Sequence, residues 1–391
     1  MESLVIKKFG PILDVNLTPI KRFNIFIGES GSGKSTIMKV LAMMRWIYKM
    51  CCVRTYLKNS GIPTPFRFRA DTILGTNGLK SFLHPESEIL YRNGEFEIII
   101  NNGRLILPKK NVEKEDLTLY KISYISDKRV LIPDVAAGNV ALRHNMFYLE
   151  ETFLNFQKAL DVMPDTDMSY LGVKMNVKKT NAGRKVFLSS SNAEHSFTNL
   201  PLTSASSGMQ SSVALHYIMH YFSSHYDIVN SMNSTIVRFL ASGDILSKFS
   251  ATSDIGKFPN RRITVHIEEP ELSLFPSNQW GLMKYLIGEC LKSVHAPIDL
   301  TIATHSPYIL TALNVMMLAK KASEKDSDAF TSLDEYCPLL DINEVGAWSV
   351  VAGRCESLLN EELGMIDGTY LDTTSDLYED LILRLNDIVY G

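Results

Sequence analysis

The chain has 391 residues, 45% of them apolar and 21% charged, with a net charge of −3. It is an ordinary globular protein, long enough for one large elaborated domain or two smaller ones. No apolar run approaches the roughly 18 residues that span a bilayer, so no membrane partner is expected. The five cysteines lack zinc-like spacing and point to a reducing, cytoplasmic setting. Charge is uneven: from Lys320 onward 5 Lys and Arg face 16 Asp and Glu, a net of −11, so the preceding 319 residues carry +8. A mildly basic body can meet nucleic acid, whereas the acidic end is a poor candidate for that contact.

Two strands around a turn at Phe9-Gly10-Pro11-Ile12 open the chain, and Phe23-Asn24-Ile25-Phe26-Ile27 makes a third. This third strand runs into Gly28-Glu29-Ser30-Gly31-Ser32-Gly33-Lys34-Ser35-Thr36, a phosphate-loop pattern set between a buried strand and a helix. Its glycines let backbone N–H groups close on phosphate oxygens, and the helix start adds its positive dipole end. Lys34 is expected at the β- and γ-phosphates of ATP, and the Ser35 hydroxyl at Mg²⁺. A helix follows from about Ser35 into the fifties, with Ile37, Val40, Leu41, Met44, Ile47 and Tyr48 at helical spacing. Adjacent Cys51 and Cys52 lie within it as packed thiols. The turns Asn93-Gly94 and Asn102-Gly103 mark an antiparallel meander. A strand over Tyr120–Ser126 exits toward Asp127, Lys128 and Arg129, and a helical stretch over 140–162 comes next.

A basic hairpin, Val173–Lys179 with Lys185–Ser190, turns over Thr180-Asn181-Ala182-Gly183. Then Ser204-Ala205-Ser206-Ser207-Gly208-Met209-Gln210 opens a long helical region over 208–255. The strand Ile263–Ile267 ends in Glu268 and Glu269. Two carboxylates at such a strand tip suit an ATPase: Glu268 for the Mg²⁺ shell, Glu269 to orient or deprotonate the attacking water. Thirty-six residues past Glu269, the strand Asp299–Ala303 delivers His305 at the edge where open α/β sheets bind ligands; His305 is expected at the γ-phosphate. The chain closes on an amphipathic segment with Leu377, Leu381, Leu385 and Ile388 on one face.

Taken in this order, these motifs resemble the head of ATP-binding-cassette ATPases, in particular the branch that holds the RecF, SMC and OLD-family proteins. Ile6-Lys7-Lys8-Phe9-Gly10-Pro11-Ile12 is similar to that branch's opening. Ile267-Glu268-Glu269-Pro270-Glu271-Leu272-Ser273-Leu274-Phe275-Pro276 resembles the carboxylate motif of OLD-like ATPases, and Ala303-Thr304-His305-Ser306-Pro307 its switch-histidine motif. The resemblance implies an α/β ABC head over residues 1–320: a P-loop core, an antiparallel β subdomain, and a helical signature subdomain at 130–260 that carries an insertion. An acidic segment, 321–391, would pack on this head. Ser206, Ser207, Gly208 and Gln210 become the signature loop, acting in trans on ATP held by a second copy, so that ATP and Mg²⁺ close a homodimer or a higher homo-oligomer.

The chain departs from the pattern at Ser30, where an Asn is usual, and at Phe275, where a His is usual. No glutamine follows Ile125, which leaves Asp127 or Arg129 as substitutes in the sensor loop. Asp326-Ser327-Asp328 reads as a loop and not as part of a nuclease site, so the chain is expected to lack its own nuclease. Stand-alone heads of this kind resemble the ATPase subunits of bacterial anti-phage systems such as Septu, PARIS and Gabija, which implies a separate effector protein. The alternative is a RecF-like repair ATPase that binds DNA through Lys174, Lys178, Lys179, Arg184 and Lys185, or through Arg67 and Arg69.

Overall fold

The computed structural model describes residues 1–59, 68–142, 146–163, 165–180, 183–191, 197–241, 258–333 and 336–368. The expected terminal segment with Leu377, Leu381, Leu385 and Ile388 lies outside the described residues, as do Arg67, the hairpin tip 181–182 and the stretch 242–257. The first half of the chain runs β1 (Glu2–Phe9), β2 (Ile12–Leu17), β3 (Phe23–Ile27), α1 (Lys34–Asn59), α2 (Ala70–Thr76), β4 (Glu88–Asn93), β5 (Phe96–Asn101), β6 (Arg104–Ile106), β7 (Thr118–Ile125), α3 (Ile132–Ala137) and α4 (Phe147–Val162). Then come β8 (Asp165–Met168), β9 (Val173–Thr180), β10 (Gly183–Ser190), β11 (Leu200–Pro201), α5 (Ser207–Ser224), α6 (Ile228–Ala241), β12 (Asn260–Glu268), α7 (Pro276–Lys292), β13 (Ile298–Thr304), α8 (Pro307–Lys325), α9 (Ser327–Thr331), β14 (Val345–Val351) and β15 (Arg354–Ser357).

One sheet orders its strands β6-β5-β4-β1-β2-β15-β14-β3-β13-β12-β7. Its centre, β14-β3-β13-β12-β7, is parallel. The β3 and β13 residues are all buried, as a parallel strand covered on both faces requires. The other wing is the expected antiparallel meander, with Arg92 opposite Glu97 and Asn93 opposite Phe96. Helix α1 packs against β7, β12 and β13, while α5 packs against both α4 and α7. A second sheet, β11-β10-β9-β8, holds the basic hairpin. The fold is therefore mixed α/β, as expected.

The main sheet crosses the expected division at 320. β14 lies parallel to β3, with Ala347 opposite Ile25, and β15 returns beside it. Part of the acidic segment thus supplies sheet strands that sequence reasoning missed. The Asp326–Asp328 stretch is also not a loop: α8 continues through Lys325, and the Asp326 carboxylate caps α9 by accepting from Ala329 N at 2.9 Å. Cys51 and Cys52 are buried free thiols, and burial holds the Cys52 thiol up at about 12.

Candidate nucleotide site

The ends of four parallel strands converge on one cleft of about 570 Å³, lined by residues including Ser30, Gly31, Gly33, Lys34, Ser35, Thr36, Lys39, Asp127, Glu268, Glu269 and His305. The loop after β3 can only be glycine-rich here, because its neighbours press against it. A Cβ on Gly28 would sit 2.3 Å from the Val350 carbonyl oxygen of β14, and one on Gly33, at φ +112°, would sit 2.4 Å from Ile12 Cδ1. The Lys34 ammonium donates to Gly28 O at 2.7 Å and Glu29 O at 2.9 Å. Burial lowers its pKa, opposed by the charges of Glu269 and Glu271. Ser32 Oγ is buried and has no hydrogen-bond partner among the described residues. A desolvated cation and an orphaned hydroxyl in a glycine cradle fit a bound phosphate.

The Glu268 carboxylate, 7% exposed, accepts from the Tyr124 hydroxyl at 2.6 Å. Burial, and then the Glu268 charge, raise that phenol well above its ordinary range, so it remains a donor. With the Ser35 hydroxyl, Glu268 supplies hard oxygen ligands. Mg²⁺ ordinarily takes one or two such protein ligands together with phosphate oxygens, so the residues present fit Mg²⁺ held with a nucleotide.

Glu269 follows in a left-handed conformation, φ +44°, a strain of order 1–3 kcal/mol that the surroundings must hold. Three bonds do so. Glu269 N donates to Ala303 O at 2.7 Å. The Arg129 guanidinium donates to Glu268 O at 2.6 Å and to Glu269 O at 2.5 Å. Arg129 is fully buried, and desolvation lowers its pKa to about 10 despite four nearby carboxylates, so it stays charged at neutral pH. It therefore braces the carboxylate turn and does not line the cleft, whereas Asp127 does. His305 Nε2 stands 3.6 Å from Glu269 Oε1.

Sequence reasoning gave no role to Glu271. Its Oε1 accepts from Thr304 Oγ1 at 2.6 Å and from His305 N at 2.9 Å, which fixes the histidine's approach through charge-assisted bonds of about 1.5–3 kcal/mol each. Ser306 Oγ continues this support by donating to Gln279 Oε1 at 2.6 Å. The available signal was a third carboxylate within one short motif.

The signature residues do not line this cleft. Ser206 caps α5, its Oγ accepting from Met209 N at 3.4 Å, and both Ser206 and Ser207 are exposed. Gln210 Nε2 donates to Thr203 O and Ala205 O, each at 3.1 Å. Gly208 is buried against the turn that follows Glu271: a Cβ there would sit 2.5 Å from Ser273 O. Its need for glycine is thus met within one chain, by close packing, and it ties α5 to the carboxylate turn. Phe275, the departure from the usual histidine, is 73% exposed at the start of α7.

No family model matches the chain, and no curated protein matches it. Among solved structures it resembles an Smc head bound to the C-winged helix domain of ScpA, at 12% identity, 93% of this chain, 99% of that one and a TM-score of 0.38. It also resembles the SMC head domain from Thermotoga maritima, at 12%, 91%, 97% and 0.36. A third likeness is an Smc head domain with an extended coiled coil bound to the C-terminal domain of ScpA, derived from Pyrococcus furiosus, at 11%, 97%, 100% and 0.38.

Proposed function

We propose that the chain is an ATP-binding and hydrolysing ATPase of the ABC-head kind, acting as a nucleotide-gated sensor and scaffold for a separate effector, a nuclease or toxin, in bacterial anti-phage defence. The observation that carries the ATPase reading is the meeting of the Gly28–Thr36 loop, Glu268, Glu269 and His305 in one cleft at the ends of parallel strands. Loop N–H groups and Lys34 bind the β- and γ-phosphates. Ser35 and Glu268 would hold Mg²⁺, which would neutralise charge on the phosphate oxygens. Glu269 orients the attacking water or takes its proton, and His305 contacts the γ-phosphate. The defence role is supported by the motif resemblance alone.

Exposed Ser206 and Ser207, outside the cleft of their own chain, suit contact with a nucleotide on a second copy. Ser207→Arg is expected to abolish ATP-dependent association in light-scattering chromatography while the monomer keeps its ATP affinity within about twofold. Loss of affinity in the monomer would place the loop in cis.

One observation favours the DNA-binding alternative. On the β9–β10 hairpin Lys178 stands directly opposite Lys185, and Lys179 opposite Arg184. Like charges in register destabilise a hairpin, and an anionic strand would offset that. Lys178 is partly satisfied by Asn199 Oδ1 at 2.7 Å and by the Phe187 ring at 4.9 Å, and Arg184 by Asp161. If the hairpin holds duplex DNA, Lys178→Gln with Lys185→Gln should reduce the log–log salt slope of binding by about 2. An unchanged slope removes the hairpin from the interface.

A further inference from the structure

The Glu268 carboxylate sits at the tip of β12, where a glutamate's terminal torsion is broad and its orientation needs an outside partner. The partner is Tyr124 on the neighbouring strand β7. Its hydroxyl donates to Glu268 Oε1 at 2.6 Å and stands 3.5 Å from the main-chain carbonyl oxygen of Ser35, so its single proton goes to the carboxylate, beside the start of α1. The ring itself cannot wander. It is 1% exposed, packs against Tyr148 at a centroid distance of 4.4 Å and stacks on His266 at 6.1 Å, the residue opposite it in the β7–β12 register. Tyr148 is anchored in turn by donating to Asn77 Oδ1 at 2.5 Å, and the Tyr124 main-chain carbonyl accepts from Thr152 Oγ1 at 3.3 Å. Glu268 itself lines the nucleotide cleft.

We propose that Tyr124 is a positioning residue of the metal subsite: its hydroxyl fixes the Glu268 carboxylate relative to Ser35 and so sets the affinity for Mg²⁺ on the bound nucleotide. The proposal rests on the ATPase reading above. Tyr124 touches neither nucleotide nor metal; it acts through Glu268, as outer partners of metal-ligating groups do, and losing such a partner typically weakens metal affinity 10–100-fold.

The test is a Mg²⁺ titration of a fluorescent ATP analogue on the full chain. Tyr124→Phe keeps the ring and removes only the hydroxyl. It should raise the Mg²⁺ concentration at half-saturation by about 10–100-fold and leave the analogue's affinity in EDTA within about twofold. On a Glu268→Gln background the same substitution should change nothing, because the oriented carboxylate is already gone. An unchanged Mg²⁺ midpoint in Tyr124→Phe overturns the proposal and leaves the ATPase reading standing. So does a shift that persists with Glu268→Gln, or a Tyr124→Phe chain that fails to fold, since either would make the hydroxyl a structural group. Wild-type chain that binds no analogue at any Mg²⁺ concentration overturns both readings together.

Discussion

Lys34→Ala abolishes nucleotide binding on this reading, by at least about 100-fold in Kd. Two charge-assisted contacts to phosphate are lost, each worth about 1.5–3 kcal/mol. Isothermal titration with ATP and Mg²⁺ reads the loss. The fold should survive it. The ammonium makes no ion pair within 4 Å among those described; it rests on the loop's own carbonyls, Gly28 O and Glu29 O, and is desolvated by its burial. Deleting a costly buried charge that holds only main-chain acceptors destabilises little, so an unchanged thermal midpoint is the expected control. Lys34→Arg is no rescue, because a planar fork replaces a point charge that rests on Gly28 O and Glu29 O. Retained ATP affinity in Lys34→Ala would end the phosphate-loop assignment.

The loop was legible because its rule is local. Strand, three glycines, lysine, hydroxyl and helix follow one another within fourteen residues of chain, Phe23–Thr36. Glu268, Glu269 and His305 were legible for a related reason: each ends an apolar run, and parallel strands bring their carboxyl ends to one edge. What was missed depends on partners distant in sequence. Val345–Val351 reads as a short apolar run after a long acidic stretch, and nothing in it foretells a place beside Phe23–Ile27, more than 300 residues earlier. Arg129, beside Asp127 and Lys128, reads as a sensor-loop candidate, yet its guanidinium is fully buried on the carbonyls of Glu268 and Glu269. Tyr124 belongs to a strand covered on both faces, so alternation gives no sign that its hydroxyl meets a carboxylate. Gly208 was read for phosphate in trans, and its contact with Ser273 O is a packing fact no spacing reveals.

That contact bears on the second large expected effect. Glu269→Gln should bind ATP, lose about 10²–10⁴-fold in hydrolysis, the usual worth of a positioned general base, and accumulate as a closed ATP-bound dimer. The amide keeps the side chain's shape and cannot take the water's proton. It also removes a negative charge from a cleft that must hold polyanionic phosphates, so ATP affinity should rise and not fall. The main-chain bonds that hold the turn, from Arg129 to Glu269 O and from Glu269 to Ala303 O, do not involve the side chain, so the left-handed turn stays. Gly208 against Ser273 then keeps α5, with Ser206 and Ser207 at its start, in register with an intact carboxylate turn, ready for a second copy. Hydrolysis is the step that would reopen such a dimer, and blocking it traps whatever the closed state holds. Single-turnover assays and light scattering in ATP and Mg²⁺ check the two halves of this expectation, and normal turnover would place the base elsewhere. The trapped form is also the one to tag and recover from its host. A co-purifying nuclease or toxin supports the gated-scaffold reading; recombination proteins with DNA favour the repair ATPase, because the same closed heads would then be clamped on a strand held by the basic hairpin.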